Sequence, residues 1–484
     1  MEKMYAGARI RTLRRAENLT QAEMARRIGL STSYLNQLEN DARPLTATAL
    51  MALVRTFNVD VSYFAPESNS RMVAALKEVM TIAGTSGLDD AELVEFAERH
   101  PEMARGILRL TQRLPTGDEK TDASPTSTPM TPGEIQYRTL AADSTSAYEH
   151  VRDYFYARRN HITELDDLAE GFAATLGRPG LRLTRLLALL DEAHGVTVRL
   201  NAHDHGPRRI FDDGTRQVRL RADLTEAQQT FELALQLAFL VHGDLLTRLA
   251  DDPELPTTES RELGRFGLAQ YFAAAVVMPY TEFLNTAQTT DNDIDRIAAH
   301  FGTGFETTAH RLSTLQRPGR EGVPFFFVRT DRAGNISKRQ SATGFHFSRT
   351  GGSCPLWIVH RAFENPGHIV RQIASMPDGR TYLWVARTIR SRSRSYGEVP
   401  REFAIGLGCD LDQAPKLVYS RGLDLSPDSA TPIGSGCRTC PRGHCRQRAF
   451  PATGLTLDID ERYSPDEPYR AFTPSGENLR NCRR

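Results

Sequence analysis

The chain has 484 residues with Lys+Arg and Asp+Glu at 60 each, and 40% of its residues are hydrophobic. That length sets a prior of about three domains, each large enough to bury its own core, and the composition is that of a globular protein. Six cysteines in so long a chain, four of them close together, exclude a secreted disulfide framework. The N-terminus shows no apolar signal segment, and no run of about 18 apolar residues occurs that would span a bilayer. The expectation is a cytoplasmic protein with no membrane span.

Residues 1–66 carry a net charge of +3. Within them Thr20-Gln21-Ala22-Glu23 reads as a capping box, the Thr hydroxyl and Glu carboxylate each satisfying the other's backbone N–H. The helix it opens runs to Ile28, where Gly29 can take the left-handed conformation that ends it. Ser31 caps a second helix, Thr32 to Glu39. Leu35 and Leu38 point one way, while Thr32, Ser33, Asn36, Gln37 and Asn40 form a short uncharged face suited to base edges. Helices Met4–Ala16 and Thr46–Phe57 support the pair. This segment resembles the Cro/phage-repressor helix-turn-helix family over residues 6–64. The resemblance implies a dimer on double-stranded operator DNA. Gln21 then contacts phosphate, Ser31, Thr32, Ser33, Asn36 and Gln37 sit near bases, and Tyr34 and Arg43 are phosphate contacts.

Residues 67–114 read as one to three connecting helices. Residues 115–134, rich in Pro, Thr, Ser, Asp and Gly, read as a flexible linker. From 147 to 316 the spacing is mostly helical, with strand-like interruptions at Val196–Leu200 and Gln217–Arg221. Thr225 caps a helix that is apolar nearly all round, and a second helix ends in Ala269–Pro279. This pair resembles the ImmA/IrrE metallopeptidases, whose first helix carries H-E-x-x-H. Here those positions hold Leu235, Gln236 and Phe239, and the third-ligand position falls on Leu268. None of them binds zinc or serves as general base, so the chain is not read as an enzyme. What is left is a cleft for a small molecule, or, as the alternative, helices that have filled the cleft in as core. Aromatics beside arginines suit an adenine ring and phosphates, and the candidate contacts are Tyr156, Arg182, Arg185, Arg199, Phe239, Tyr271 and Arg311. His203-Asp204-His205 is read as a solvated loop.

Residues 318–472 switch to period two and aromatic runs, giving a β-rich domain with expected strands at Phe325–Val328, Phe345–Phe347, Leu356–Val359, Tyr382–Val385 and Lys416–Tyr419. Its stretch 371–450 has a net charge of +6, concentrated in Arg387, Arg390, Arg392 and Arg394. Cys409, Cys437, Cys440 and Cys445 form C-x27-C-x2-C-x4-C, enough thiolates for a tetrahedral zinc or a [4Fe–4S] cluster. The closing triplet resembles the WhiB-type iron–sulfur proteins with one residue fewer in its last gap. His444 and Cys354 are spare donors. The fold class is therefore multidomain α+β: an all-α helix-turn-helix domain, a mostly helical metallopeptidase-like ligand domain, and a β-rich cysteine-bearing C-terminal domain.

Long stretches then point to one family: Ser33–Glu39, Val151–Tyr156, His310–Pro318, Ser337–Phe347 and Phe403–Cys409. Together they resemble the short-chain fatty-acid regulators of the RamB/PrpR type. The resemblance implies transcriptional control of propionate and acetate metabolism (the methylcitrate and glyoxylate routes), coenzyme A or an acyl-CoA as effector, a homodimer or higher homo-oligomer, and an iron–sulfur centre. The alternatives are a metallopeptidase acting on a partner repressor, against which the missing H-E-x-x-H stands, and a zinc-stabilised repressor.

Overall fold

The computed structural model describes most of residues 6–108 and 147–472, apart from short stretches that include 60–68, 83–89, 202–205, 348–352 and 392–395. The expected linker 115–134, His203 and His205, Arg392 and Arg394, and Cys482 lie outside the described residues. The chain divides into two compact units: residues 1–119, 344–351 and 435–484 form one, residues 120–343 and 352–434 the other.

In the first unit, helices α1 (Gly7–Ala16), α2 (Gln21–Arg27), α3 (Thr32–Glu39) and α4 (Ala47–Phe57) enclose Ile10, Met24, Leu35, Leu38 and Leu53. The capping box forms as the sequence dictates. Glu23 N–H donates to the Thr20 hydroxyl at 3.3 Å, and Thr20 N–H to the Glu23 carboxylate at 2.8 Å. Gly29 has φ 70°, and Ser31 Oγ accepts from Tyr34 N–H at 3.1 Å. Helices α5 (Asn69–Ile82) and α6 (Asp90–Arg99) follow, packed through Leu76, Leu93 and Ala97.

The second unit opens with helix α7 (147–157), then α8 (Thr163–Leu176) and α9 (Pro179–His194). A three-stranded sheet follows in the order β1 (Thr197–Asn201), β3 (Gln217–Arg221), β2 (Arg209–Asp212). Strand β2 was not foreseen, its Gly/Pro surroundings having read as loop. Helices α10 (Glu226–Val241), α11 (Gly243–Ala250) and α12 (Thr258–Val277) complete this part, their shared core including Leu233, Leu235, Leu268 and Phe272. Among the described residues no single helix is long and apolar enough to cross a membrane.

Helices α13 (Tyr280–Thr289), α14 (Ile294–Phe301) and α15 (Phe305–Leu312) lead into a six-stranded sheet ordered β5 (Ile336–Ser341), β4 (Phe326–Thr330), β8 (Glu402–Asp410), β7 (Thr381–Arg390), β6 (Val370–Ser375), β9 (Thr431–Pro432). Phe283, Ile297 and Leu312 share one apolar cluster with Phe327, Leu383, Val385 and Leu407. The expected division between 316 and 318 therefore does not separate two cores. Three expected strands are something else. Leu356–Val359 runs into a short helix, Ile358–Arg361, whose first N–H donates to the Gln372 side chain at 3.1 Å. Lys416–Tyr419 falls within two 3-10 turns, the first containing Pro415. Phe345 and Phe347 are buried in irregular chain, ring centroids 4.8 Å apart. A short apolar run has no period that separates a strand from a buried turn.

Candidate functional site

On α3, Thr32, Ser33 and Asn36 are exposed and Gln37 is half-buried, while Leu35 and Leu38 are fully inside. The residues expected at bases thus share the outward face of one helix; the Ser31 hydroxyl is already engaged as the cap. Gln21 is not free for phosphate alone: its amide donates to Glu39 at 2.7 Å. Glu39, only 2% exposed, also accepts from Arg14 Nε at 2.6 Å. This clamp fixes α3 against α1 and α2, which is what a reading helix needs to present side chains at set positions. Arg14 carried no sequence signal beyond its charge. Arg43 is exposed and lies 5.9 Å from the Tyr34 ring centre.

The metallopeptidase positions are filled by packing. Leu235 and Leu268 are 3% and 0% exposed, and the Gln236 side-chain oxygen accepts from Arg209. Arg209 also lies 3.6 Å from the Glu232 carboxylate. Burial raises the Glu232 carboxyl, against the pull of Arg209. No residue at the four positions can ligate zinc, so the site holds no hydrolytic machinery of that kind. Phe239 is half-buried and stacks with Phe266 at 5.9 Å; Arg265 and Arg209 lie 5.3 and 5.9 Å from its ring centre. Phe266 itself is 42% exposed. Sequence reasoning found Phe239 but missed Phe266, Arg265 and Arg209, which stand just outside the stretches it used.

The other expected effector contacts divide differently. Arg182 is buried and donates to the carbonyls of Gly177 and Val277 and to Glu282. Arg311 is 2% exposed; it pairs with Asp166 at 2.6 Å and donates to Met278 O at 3.1 Å. Tyr271 gives its hydroxyl proton to Asp166 at 2.6 Å and accepts from Ile162 N–H. Arg182 and Arg311 are therefore structural ion pairs whose donors are spent inside the fold, a correction to their reading as phosphate contacts. Arg185 and Arg199 are exposed, on α9 and β1, and Tyr156 is half-buried on α7. Arg387 pairs with Asp295 at 2.5 Å and lines, with Arg390 and Phe305, a groove of about 430 Å³.

Cys437, Cys440 and Cys445 lie on one loop as free thiols, the first two buried. Buried Arg448 knits this loop, donating to Cys437 O at 2.9 Å and Cys440 O at 3.1 Å, and Ala449 N–H faces Cys437 Sγ at 3.5 Å. His444 Nδ1 lies 3.0 Å from the Glu467 carboxylate. Reduced sulfurs, an amide aimed at one of them and a cation beneath the loop fit the chemistry of a thiolate-held metal or cluster. Among the described residues, however, no three or more His, Cys, Asp or Glu side chains are grouped closely enough to hold a metal. Cys409 belongs to the second unit, not to the loop's. It is fully buried on β8 within the apolar cluster of Leu383, Val385 and Leu407, where burial pushes its thiol well up. Its surroundings are those of a small hydrophobic residue.

A helix-turn-helix with an outward polar reading face, joined to a peptidase frame whose catalytic positions hold neither a zinc ligand nor a general base, defines a DNA-binding transcriptional regulator. Comparison with known proteins agrees part by part. Residues 10–64 match the helix-turn-helix family, residues 191–313 the IrrE N-terminal-like domain, and residues 314–469 the short-chain fatty acyl coenzyme A regulator C-terminal domain. The chain is 46% identical over 476 residues to the HTH-type transcriptional regulator RamB of Mycobacterium tuberculosis, covering 97% of this chain and 99% of the relative. It is 43% identical over 485 residues to PrpR of the same organism, covering 98% and 97%. It is 40% identical over 462 residues to the propionyl-CoA carboxylase regulator of Cereibacter sphaeroides, covering 95% and 97%. A solved Mycobacterium tuberculosis transcriptional regulator superposes with a TM-score of 0.64 at 47% identity, covering 67% of this chain and 99% of that one. The chain belongs to the short-chain fatty acyl coenzyme A regulator family that includes RamB and PrpR.

Proposed function

We propose that this regulator binds operator DNA as a homodimer in the cytoplasm and controls genes of short-chain fatty-acid metabolism, with coenzyme A or a short acyl-CoA as effector. The observation that carries the effector reading is the half-exposed Phe239–Phe266 pair between Arg209 and Arg265, on the helix pair of the peptidase frame. Stacked aromatics flanked by guanidinium groups are a receptor for an adenine ring and its phosphates. The match of residues 314–469 to an acyl coenzyme A regulator domain and the 40% identity to the propionyl-CoA carboxylase regulator support the same effector class. To regulate, the ligand must bind the DNA-competent and DNA-incompetent states unequally, since equal affinity shifts nothing.

The test is calorimetry and operator binding on the whole protein with coenzyme A and propionyl-CoA. Binding heat and a change in operator affinity are expected, both weakened in Phe239→Ala; no heat at millimolar ligand retires the reading. In the reading helix, Gln37→Ala is expected to cost about 1–3 kcal/mol at the cognate operator and little on random DNA. Equal losses on both place Gln37 at phosphate.

For the cysteine loop we propose a [4Fe–4S] cluster on Cys437, Cys440 and Cys445. His444 is the nearest further donor in the chain, its ring oriented by Glu467. Such a group supplies redox-dependent loop order. Anaerobic protein should be brown and contain iron and sulfide, and Cys437→Ser should lose both. Cys409, the fourth thiol of the spacing, is tested by Cys409→Ser: loss of iron makes it the fourth ligand, and full retention leaves that place to His444. A colourless protein with one equivalent of zinc overturns the cluster in favour of structural zinc.

A further inference from the structure

Two helices of the second unit end in the same irregular turn. After α7, Asn160 N–H returns to Phe155 O at 2.7 Å, Arg159 N–H to Tyr156 O at 2.9 Å, and His161 N–H to Arg158 O at 3.0 Å. After α13, Asn292 N–H returns to Ala287 O at 2.7 Å, Asp291 N–H to Gln288 O at 3.4 Å, and Asp293 N–H to Thr290 O at 3.1 Å. Each turn places two consecutive non-glycine residues in the left-handed region: Arg159 and Asn160 at φ 50° and 59°, Asp291 and Asn292 at 50° and 56°. Each buries its asparagine, at 2% and 6% exposure.

The two asparagines differ in what their amides do. Asn292 Nδ2 donates to Lys416 O at 3.0 Å, a contact 124 residues away in sequence. The buried Oδ1 and Nδ2 of Asn160 have no partner in the protein. Beside it, His161 is held by Nδ1, 3.0 Å from Asp166 Oδ2 and 3.3 Å from the Tyr271 hydroxyl. Its ring meets Tyr280 edge-on at 5.5 Å, and its buried Nε2 has no partner either. Two neighbouring side chains thus keep three buried polar atoms unpaired on a strained turn, while the twin turn satisfies its own asparagine. Buried polar groups are paired almost without exception, and strained backbone is retained where a site requires it.

We infer that Asn160 and His161 are the polar end of a ligand subsite that takes a secondary amide. The unpaired Nδ2–H of Asn160 can donate to the C=O of one amide and its Oδ1 accept from the N–H of a second, and a ring nitrogen adds a further contact. The acyl-CoA reading above, on which this rests, supplies such a group: the pantetheine arm carries two secondary amides between thioester and phosphates. The Phe239–Phe266 pair would serve the nucleotide end, and the α7 turn the arm.

The experiment compares three probes on the whole protein by calorimetry: coenzyme A, pantetheine (amides without the nucleotide) and adenosine 3′,5′-bisphosphate (nucleotide without amides). Asn160→Gly removes the amide while suiting a left-handed backbone. It should weaken coenzyme A and pantetheine about tenfold or more and leave the bisphosphate unchanged, with no loss of melting temperature. A second variant, Asn160→Asp, keeps the side chain's shape and its tolerance of that backbone but loses the donor, and should weaken the same two probes. Wild-type affinity for coenzyme A in both variants overturns the subsite and leaves Asn160 satisfied by internal water. No coenzyme A binding by the wild type overturns the effector reading itself, and the subsite with it.

Discussion

Asp166 and Arg311 are withdrawn from water together, at 0% and 2% exposure. Burial alone would raise the Asp166 carboxyl, yet the Arg311 guanidinium, with hydrogen bonds from His161, Arg311 and Tyr271, holds it well below the usual carboxylate range. A carboxylate depressed in this way contributes its stability in full above its unfolded value of about 4 and loses it as the pH falls. Breaking such a pair leaves an uncompensated buried charge. Arg311→Met is therefore expected to cost about 3–5 kcal/mol in urea unfolding at pH 7, and adding Asp166→Asn should recover part of the loss; a loss under about 1 kcal/mol removes the pair from the core's support. Lys338 on β5 gives the opposite case. Burial lowers its ammonium to about 8, with Glu306 opposing and Arg329 adding. Between that value and the unfolded 10.5 the unfolded chain binds more protons, so stability from this group rises with pH across the window, and below pH 8 the cost of burying the charge is complete. Lys338→Met should raise the melting temperature at pH 7 and flatten the rise seen in wild type above pH 8. A pH profile unchanged by the substitution would assign that rise to other groups.

At the level of the element, β8 is shaped by two glycines. A Cβ at Gly408 would stand 2.1 Å from Phe326 Cζ, and one at Gly406 2.7 Å from Val359 Cγ1. The register puts Gly408 between Phe326 on β4 and Trp384 on β7, so the bare backbone is what lets the two rings meet at 4.6 Å. Gly408→Ala is expected to destabilise by about 1–3 kcal/mol through overpacking, read by thermal unfolding; the paired Phe326→Leu should relieve it. Elements were legible where local chemistry decides them: the Thr20 capping box and Gly29 set the reading helix, and unbroken apolar runs set β4 and β7. They were illegible where a distant partner decides. Strand β5, Ile336–Ser341, has a mostly polar sequence that pairs only because β4 lies beside it. The helix at Ile358 begins where Gln372 offers its side-chain oxygen. The site followed the same rule. Phe239 could be found from its place in a known helix pattern, but a sequence displays the charge of Arg182 and Arg311 and not the carbonyls and carboxylates that consume it.

At the level of the whole molecule, the proposed effector and the operator would have to report on each other. If coenzyme A changes operator affinity by some factor, saturating operator must change coenzyme A affinity by the same factor, with about 5- to 150-fold as the usual range. Anisotropy titrations with and without coenzyme A, set against calorimetry with and without DNA, would expose any inequality, which would mean that a third species takes part. The large sheet also governs how many copies can share a solution. One margin, β5, carries Lys338 and Arg339, charges that discourage another strand from pairing there. The other margin, β6, is closed by a strap only two residues wide: Thr431 and Pro432 lie parallel to Ala374 and Ser375, Ile433 N–H donates to Ser375 O at 2.9 Å, and Gly434 O is held by the Trp357 indole at 2.8 Å. Further along, Arg371 ties β6 to the carbonyls of Tyr419 and Arg421. A proteolytic cut before Thr431 would free that strap and bare the amide and carbonyl groups of β6 at Ala374 and Ser375, an edge to which a strand of another copy can add.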